Sequence, residues 1–336
     1  MSLESRIKSK INSNVFEIEM PFPKKNLLIE VTNNCNNKCV FCYNDCMKRN
    51  RGFIDKDLCF RVLKEAYELG MREVGFYVTG EPLLDKRLTM FIKYAKEIGY
   101  TYIYITTNGI LANLDRVKKL YEAGLNSIKY SINASNREDY LLIHGTDNFN
   151  KVIKNLREVY DWKKNNNINL KLYVSYITVD LTNKEKEIDK LFKKSCDEYI
   201  VMSAINQGGL IPDICSISHN KEAINSNFKI PCSYPFKNII VTWEGYLTGC
   251  CMDFENLLAY ADLNKESLSE AWNNKIIKDF RKKQLKGDVK KTICDNCIYN
   301  KKSVPKALSN KLCNLSINKD IFCKDIERVR RINESN

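Results

Sequence analysis

The sequence predicts an α/β fold: parallel strands with covering helices, followed by a smaller C-terminal domain. Three observations predict it. Short apolar segments alternate with segments whose apolar residues recur at i, i+3 and i+4. Gly70, Gly99 and Gly124 fall where the helical segments should stop, as C′ glycines do. After about Gln207 the alternation ends and hairpin signals replace it.

The elements follow in order. Residues 1–25 read as an N-terminal extension. Strand candidates are Leu27–Thr32, Glu73–Val78, Tyr102–Thr106, Ser127–Ile132, Leu170–Ile177 and Tyr199–Ala204. Helical segments lie between them at Asp57–Leu69, Leu88–Ile98, Leu114–Ala123, Phe149–Lys164 and Lys184–Lys194. Such alternation implies parallel strands joined by right-handed crossovers, over residues 26–207. A second domain is expected over 208–327, entered through Gly208-Gly209-Leu-Ile-Pro212. There Phe236–Val241 and Gly245–Cys250 read as a hairpin turning near Trp243-Glu244-Gly245. A helix over Ser267–Lys286 carries Leu268, Ala271, Trp272, Ile276 and Phe280 on one face. Residues 328–336 read as a polar tail.

The chain has 336 residues, 14 cysteines and a formal net charge of +13. Its first residues, MSLESRIKSKINSNVFEIEM, hold no apolar h-region, and no stretch reaches the ~18 apolar residues of a membrane span. A cytoplasmic setting is expected, where clustered cysteines bind metal or do redox chemistry rather than form disulfides. Lys and Asn are spread along the chain without a basic block. Solvated lysine faces explain the charge better than a nucleic-acid surface.

Cys35, Cys39 and Cys42 stand in a C-x3-C-x2-C run just after the first strand candidate, with Cys46 following after three more residues. Three thiolates on one loop can hold three irons of a cubane and leave the fourth open. An open metal position binds and activates a ligand. Zinc wants four ligands, usually as two pairs, and this spacing is not of that kind. In residues as well as spacing the run resembles that of the radical S-adenosylmethionine (radical SAM) enzymes. That resemblance implies a partial (β/α)6 barrel, with the site at the C-terminal ends of its strands. It implies that the free iron chelates SAM and that Phe41 lies against the adenine.

Other segments resemble the same family in order and spacing, over roughly residues 26–205. Thr79-Gly80-Glu81-Pro82 resembles the motif that offers backbone carbonyls to the SAM ammonium. Thr106-Thr107-Asn108-Gly109 resembles the loop that ends the third strand. Ser131 resembles the fourth-strand polar residue that bonds SAM, and Asn133 stands where many relatives carry Asp. His144-Gly145 resembles a segment that often reads Arg-Gly. A histidine lacks the permanent bidentate contact that Arg gives a carboxylate. Taken alone, Gly-Glu-Pro and Asn-Gly are ordinary turn sequences.

The C-terminal third carries a second set. Cys232, Gly245 and Cys250 stand as C-x12-G-x4-C, and Cys294-Asp-Asn-Cys297 follows downstream. This arrangement, with Trp272-Asn273 and Arg281, resembles the SPASM/Twitch extension of radical SAM enzymes. Its spacing is most similar to the short Twitch form known from an aminocyclitol dehydrogenase, which implies one auxiliary 4Fe–4S cluster. A full SPASM domain continues C-x2-C-x5-C, but Ser303 holds that third position here. Cys313 and Cys323 remain to complete a second auxiliary site, and a structural zinc on the four cysteines is the other alternative. Cys251 is expected to face away from Cys250, as strand neighbours do. Cys59, Cys196 and Cys215 read as core or incidental thiols. The molybdenum-cofactor cyclase is a rival, but its C-x2-C-x13-C set and Gly-Gly C-terminus are absent.

The resemblance implies two 4Fe–4S clusters, cleavage of SAM to a 5′-deoxyadenosyl radical, and hydrogen abstraction from a substrate. An auxiliary cluster can accept a second electron, which gives a two-electron oxidation of a small polar molecule such as a sugar or aminocyclitol. The rival is a peptide or protein maturase. Only about 25 residues precede the first strand candidate, few for a peptide-recognition domain. A non-catalytic electron-transfer protein would lack Glu81, Asn108 and Ser131. The partners implied are a small-molecule substrate and an external one-electron donor such as flavodoxin or ferredoxin. Asp253, Tyr234 and Glu244 lie near the auxiliary cysteines in sequence, which assigns none of them as a base.

Overall fold

The structure, a computed structural model, describes residues 3–5, 15–178, 185–216, 230–313 and 315–323. One nine-stranded sheet runs through it in the order β6-β5-β4-β3-β2-β1-β7-β8-β9. The first six strands are β1 Leu27–Ile29, β2 Glu73–Phe76, β3 Tyr102–Thr107, β4 Ser127–Ser131, β5 Lys171–Thr178 and β6 Glu198–Ser203. They pair in parallel, each with the next. Parallel pairing puts their C-terminal ends at one edge, where the sequence motifs lie. The sheet stays open, as a partial barrel does.

Six helices follow the strands: α1 Lys56–Glu68, α2 Leu88–Ile98, α3 Leu114–Glu122, α4 Arg137–His144, α5 Phe149–Asn165 and α6 Glu185–Phe192. Local chemistry sets their ends. Asp55 caps α1 by accepting from the Asp57 and Leu58 N–H groups. Gly99 ends α2 at φ 108°, a left-handed conformation that favours glycine. Alternate strand residues, among them Leu27, Val74, Ile103, Ile128 and Leu172, join the helices in the main core. On the other face Leu28, Tyr104 and Ile240 form a smaller cluster with Tyr77, Tyr102, Tyr234 and Cys251.

The C-terminal region adds α7 Tyr234–Lys237, β7 Ile239–Val241, β8 Tyr246–Thr248, β9 Ala259–Asp262, α8 Leu268–Trp272, α9 Lys275–Leu285 and α10 Ile293–Tyr299. The expected hairpin forms, with Val241 opposite Leu247. It is no separate sheet, because β7 pairs in parallel with β1. The expected helix over Ser267–Lys286 is two helices. The Asn274 side chain accepts from Ile277 N–H and starts α9 afresh. Trp272, Asn273 and Arg281 come together: the guanidinium lies 4.2 Å over the Trp272 ring and donates to Asn273 Oδ1 and Pro235 O.

The cysteines outside the two sets differ in part from expectation. Cys59 and Cys196 are buried thiols, while the Cys215 side chain and residues 328–336 lie outside the described residues. Cys46 and Cys323 form a disulfide, although the sequence pointed to reduced thiols. Packing brings them together. Tyr43, next to Cys42, donates its hydroxyl to Ile321 O at 2.6 Å, and Cys323 N–H donates to Leu210 O at 3.0 Å.

Candidate active site

The three-cysteine loop leaves β1 at the C-terminal edge of the sheet, and its thiols are half-buried and reduced. The loop is pinned to the end of α4, because Lys38 and Val40 N–H donate to the His144 and Ile143 carbonyls at 2.9 Å. Burial pushes the Cys35 thiol up to about 12, helped by the nearby Glu81 carboxylate. Iron must therefore displace a tightly held proton there, as metal ligation does.

The two turn motifs close on this loop. Gly80 packs so tightly that an added Cβ would sit 2.3 Å from Thr32 O and 2.6 Å from Asn34 O. The neighbouring Glu81 N–H donates to Asn34 O at 2.8 Å. The buried Glu81 carboxylate accepts from Leu83 N–H, Thr107 Oγ1 and Asn108 N–H at 3.0, 2.8 and 2.7 Å. Burial pushes Glu81 up to about 7, against these three donors that favour its charge. Asn108 in turn donates to Asn36 Oδ1 at 2.6 Å, and its amide nitrogen is 3.9 Å from Cys35 Sγ.

His144 supports the loop from below. It is buried and stacked on Tyr140 at 4.1 Å. Its Nε2 accepts from Asn133 N–H at 3.3 Å, and its Nδ1 lies 3.3 Å from Cys39 Sγ. The Asn37 amide is also 3.2 Å from Nδ1. Phe41 is buried in the main core. Ser131 is half-buried, with Oγ 3.4 Å from Ser175 Oγ on the face away from the helices. Asn133 Oδ1 accepts from Ile177 N–H and ties β4 to β5.

The second set also converges. Cys232, Cys250, Cys294 and Cys297 line one cavity with Gly208, Tyr234, Met252, Asp253 and Leu258. α10 places Cys294 and Cys297 one turn apart, and its middle packs on the Gln207–Gly209 turn, where the preceding Asn206 donates from Nδ2 to the Asn296 and Cys297 carbonyls. Burial pushes the Cys232 and Cys294 thiols up. Among the described residues no three Cys, His, Asp or Glu side chains meet closely enough to share one metal ion. Thiols spaced around a hollow suit a cubane better than zinc. Cys251 packs with Leu28, Tyr104 and Ile240, but it does not turn away from Cys250 as expected: the two thiols share a hydrogen bond, and Cys251 also reaches Tyr234, which lines the cavity. Cys313 donates to Glu255 O at 3.3 Å, and Cys323 is joined to Cys46.

Sequence reading missed the charged cluster between the two sets. Arg49 is buried and pairs with Glu30 and Glu244, each at 2.7 Å. No spacing rule points to these residues, since each partner lies on a different element.

Comparisons with known proteins agree with this geometry. Residues 29–194 match the radical SAM superfamily, and residues 232–298 match the SPASM iron–sulfur cluster-binding domain. The chain is a radical SAM enzyme with a SPASM domain, and its cofactors are S-adenosylmethionine and 4Fe–4S clusters. A probable GTP 3′,8-cyclase from Saccharolobus islandicus is 33% identical over 139 residues, 41% of this chain and 44% of that protein. An uncharacterized protein of Methanocaldococcus jannaschii, MJ0804, is 32% identical over 141 residues, 42% of this chain and 45% of that protein. The chain thus matches less than half the length of these relatives. BtrN in complex with AdoMet and 2-DOIA superposes at TM-score 0.55 and 21% identity, over 85% of this chain and 93% of BtrN. SuiB of Streptococcus suis bound to the precursor peptide SuiA superposes at TM-score 0.61 and 13% identity, over 93% and 79%. These likenesses show the shared fold.

Proposed function

We propose that the protein is a radical SAM dehydrogenase that oxidises a small polar substrate, such as a sugar or aminocyclitol, by two electrons. The cofactors, when bound, supply a 5′-deoxyadenosyl radical and an electron acceptor. The chain's part is to hold them and to place the substrate between them. Cys35, Cys39 and Cys42 hold the first cluster, and Gly80, Glu81, Asn108 and Ser131 shape the SAM site. His144 acts in this reading through Cys39 rather than on SAM, and Phe41 backs the loop. Cys232, Cys250, Cys294 and Cys297 hold a single auxiliary cluster.

The observation that carries the reading is the four-cysteine cavity, with Cys313 and Cys323 engaged elsewhere among the described residues. One auxiliary cluster is what a two-electron oxidation needs beyond SAM. The inner sheet face adds support, since Tyr102, Ser127, Ser131 and Ser175 put hydroxyls there. A cytoplasmic setting and a flavodoxin or ferredoxin as one-electron donor belong to the same reading. The alternative, a peptide or protein maturase, draws on the likeness to SuiB with its precursor peptide.

The test is anaerobic incubation of reconstituted protein with SAM, dithionite and a panel of sugars and aminocyclitols. The expected result is 5′-deoxyadenosine together with a product two hydrogens lighter than its substrate. Formation of 5′-deoxyadenosine with oxidation of none of the panel, alongside modification of a peptide, would replace the reading by the maturase.

A further inference from the structure

We infer that Arg49 is a positioning residue that seats the auxiliary-cluster hairpin against the SAM-binding end of β2. This rests on the radical SAM reading above. Arg49 follows the three-cysteine loop and lies outside every motif. Its side chain is 5% exposed, yet every guanidinium nitrogen has a partner. Nη2 donates to both Glu30 carboxylate oxygens, at 2.7 and 2.8 Å, and to Thr79 Oγ1 at 3.1 Å. Nη1 donates to Glu244 at 2.7 Å, and Nε donates to Phe254 O at 2.7 Å. Its own N–H donates to Glu255 at 3.0 Å, beside Lys48 N–H at 2.6 Å.

Those partners sit on four separate segments. Glu30 follows β1 and also accepts from Trp243 N–H in the hairpin turn and from the Thr79 hydroxyl. Thr79 begins the Thr-Gly-Glu-Pro segment. Glu244 is in the turn between β7 and β8, the hairpin that leads to Cys250. Phe254 and Glu255 follow Asp253, which lines the auxiliary cavity. One planar fork with fixed donor directions therefore links hairpin turn, auxiliary loop and strand end. A shift of the hairpin moves Glu244, then Arg49, then Thr79. The adjoining Gly80 has no slack against Thr32 O and Asn34 O to absorb it.

The test uses two mild substitutions at the ends of this chain of contacts. Glu244→Gln removes one charge from Arg49 and leaves the Glu30 pair in place. Thr79→Val keeps shape and removes the hydroxyl. SAM affinity of the reconstituted holoprotein is measured by equilibrium dialysis, with the EPR spectrum of the reduced protein recorded with and without SAM. Glu244→Gln is expected to weaken SAM binding about fivefold, the low end of usual coupling between sites. Thr79→Val is expected to weaken it similarly, and the double variant no further than either single one. The SAM-induced change in the EPR spectrum should shrink in parallel. Unchanged SAM affinity in Glu244→Gln, or effects that simply multiply in the double variant, would overturn the positioning role. A loss of thermal stability with unaltered affinity and spectrum would make Arg49 structural only. Wild-type holoprotein that binds no SAM would instead overturn the radical SAM reading itself.

Discussion

The Asn108 backbone N–H donates to the Glu81 carboxylate at 2.7 Å, which joins the ends of β2 and β3 beside Cys35. All three groups that reach this carboxylate are donors. A Gln amide offers one oxygen and turns its own N–H groups toward a donor. Glu81→Gln is therefore expected to leave one buried donor unpaired, at a cost of about 1–3 kcal/mol. Chemical denaturation of the reconstituted protein measures it, and SAM binding should weaken with it. An unchanged denaturation midpoint would mean that Glu81 is neutral in the fold and already behaves as an amide would.

Gly80→Ala tests the closeness of β2 to the cysteine loop. Its Cβ would meet Thr32 O at 2.3 Å and Asn33 Cα at 2.7 Å, both backbone atoms that cannot rotate away. Such overpacking costs about 1–3 kcal/mol and displaces the loop just before Cys35. Iron after reconstitution should fall from about eight to about four per chain, with the auxiliary cluster retained. Full iron with wild-type SAM binding would show that the loop tolerates the shift.

The parts of this fold that sequence revealed are those governed by local rules. α2 spans Leu88–Ile98, as expected, because an apolar stripe and a stopping glycine lie within one segment. The cysteine loop was legible from spacing, and Glu81 and Asn108 from turn motifs at strand ends. The split between α8 and α9 was hidden, because the apolar period runs on across Asn273 and Asn274 while the Asn274 side chain restarts the helix. α4 has only eight residues, too few to display a period. Arg49 was invisible for a different reason. Its partners Glu30, Glu244 and Phe254 lie 19, 195 and 205 residues away, and only the fold gathers them. The same holds for Cys46 and Cys323, 277 residues apart, since connectivity cannot be deduced from sequence.

The engagement of Cys313 and Cys323 fixes an expected metal content. Two cubanes give about eight irons per chain after anaerobic reconstitution. Cys313→Ala and Cys323→Ala should leave that number unchanged, because neither thiol lines the four-cysteine cavity. A wild type with about twelve irons, reduced by either substitution, would require a third cluster.

The first cysteine set and the second should fail differently. Losing Cys39 removes one of three ligands, and outer-shell groups such as His144 orient ligands without replacing them. Cys39→Ala is expected to make no 5′-deoxyadenosine under dithionite. The double variant Cys294→Ala/Cys297→Ala removes two of the four cavity cysteines and spares the loop. In the proposed dehydrogenation, SAM cleavage and hydrogen abstraction would precede the second electron transfer, so this variant should still form 5′-deoxyadenosine while releasing no oxidised product. A purely structural metal predicts another result, because losing it removes folding energy from the region it closes. Circular dichroism separates the two: a folded variant that cleaves SAM supports the redox role. A folded variant that forms full product would sink it. An unfolded one would assign the auxiliary cysteines to structure, since α10 and the Gln207–Gly209 turn would then depend on the metal for their packing.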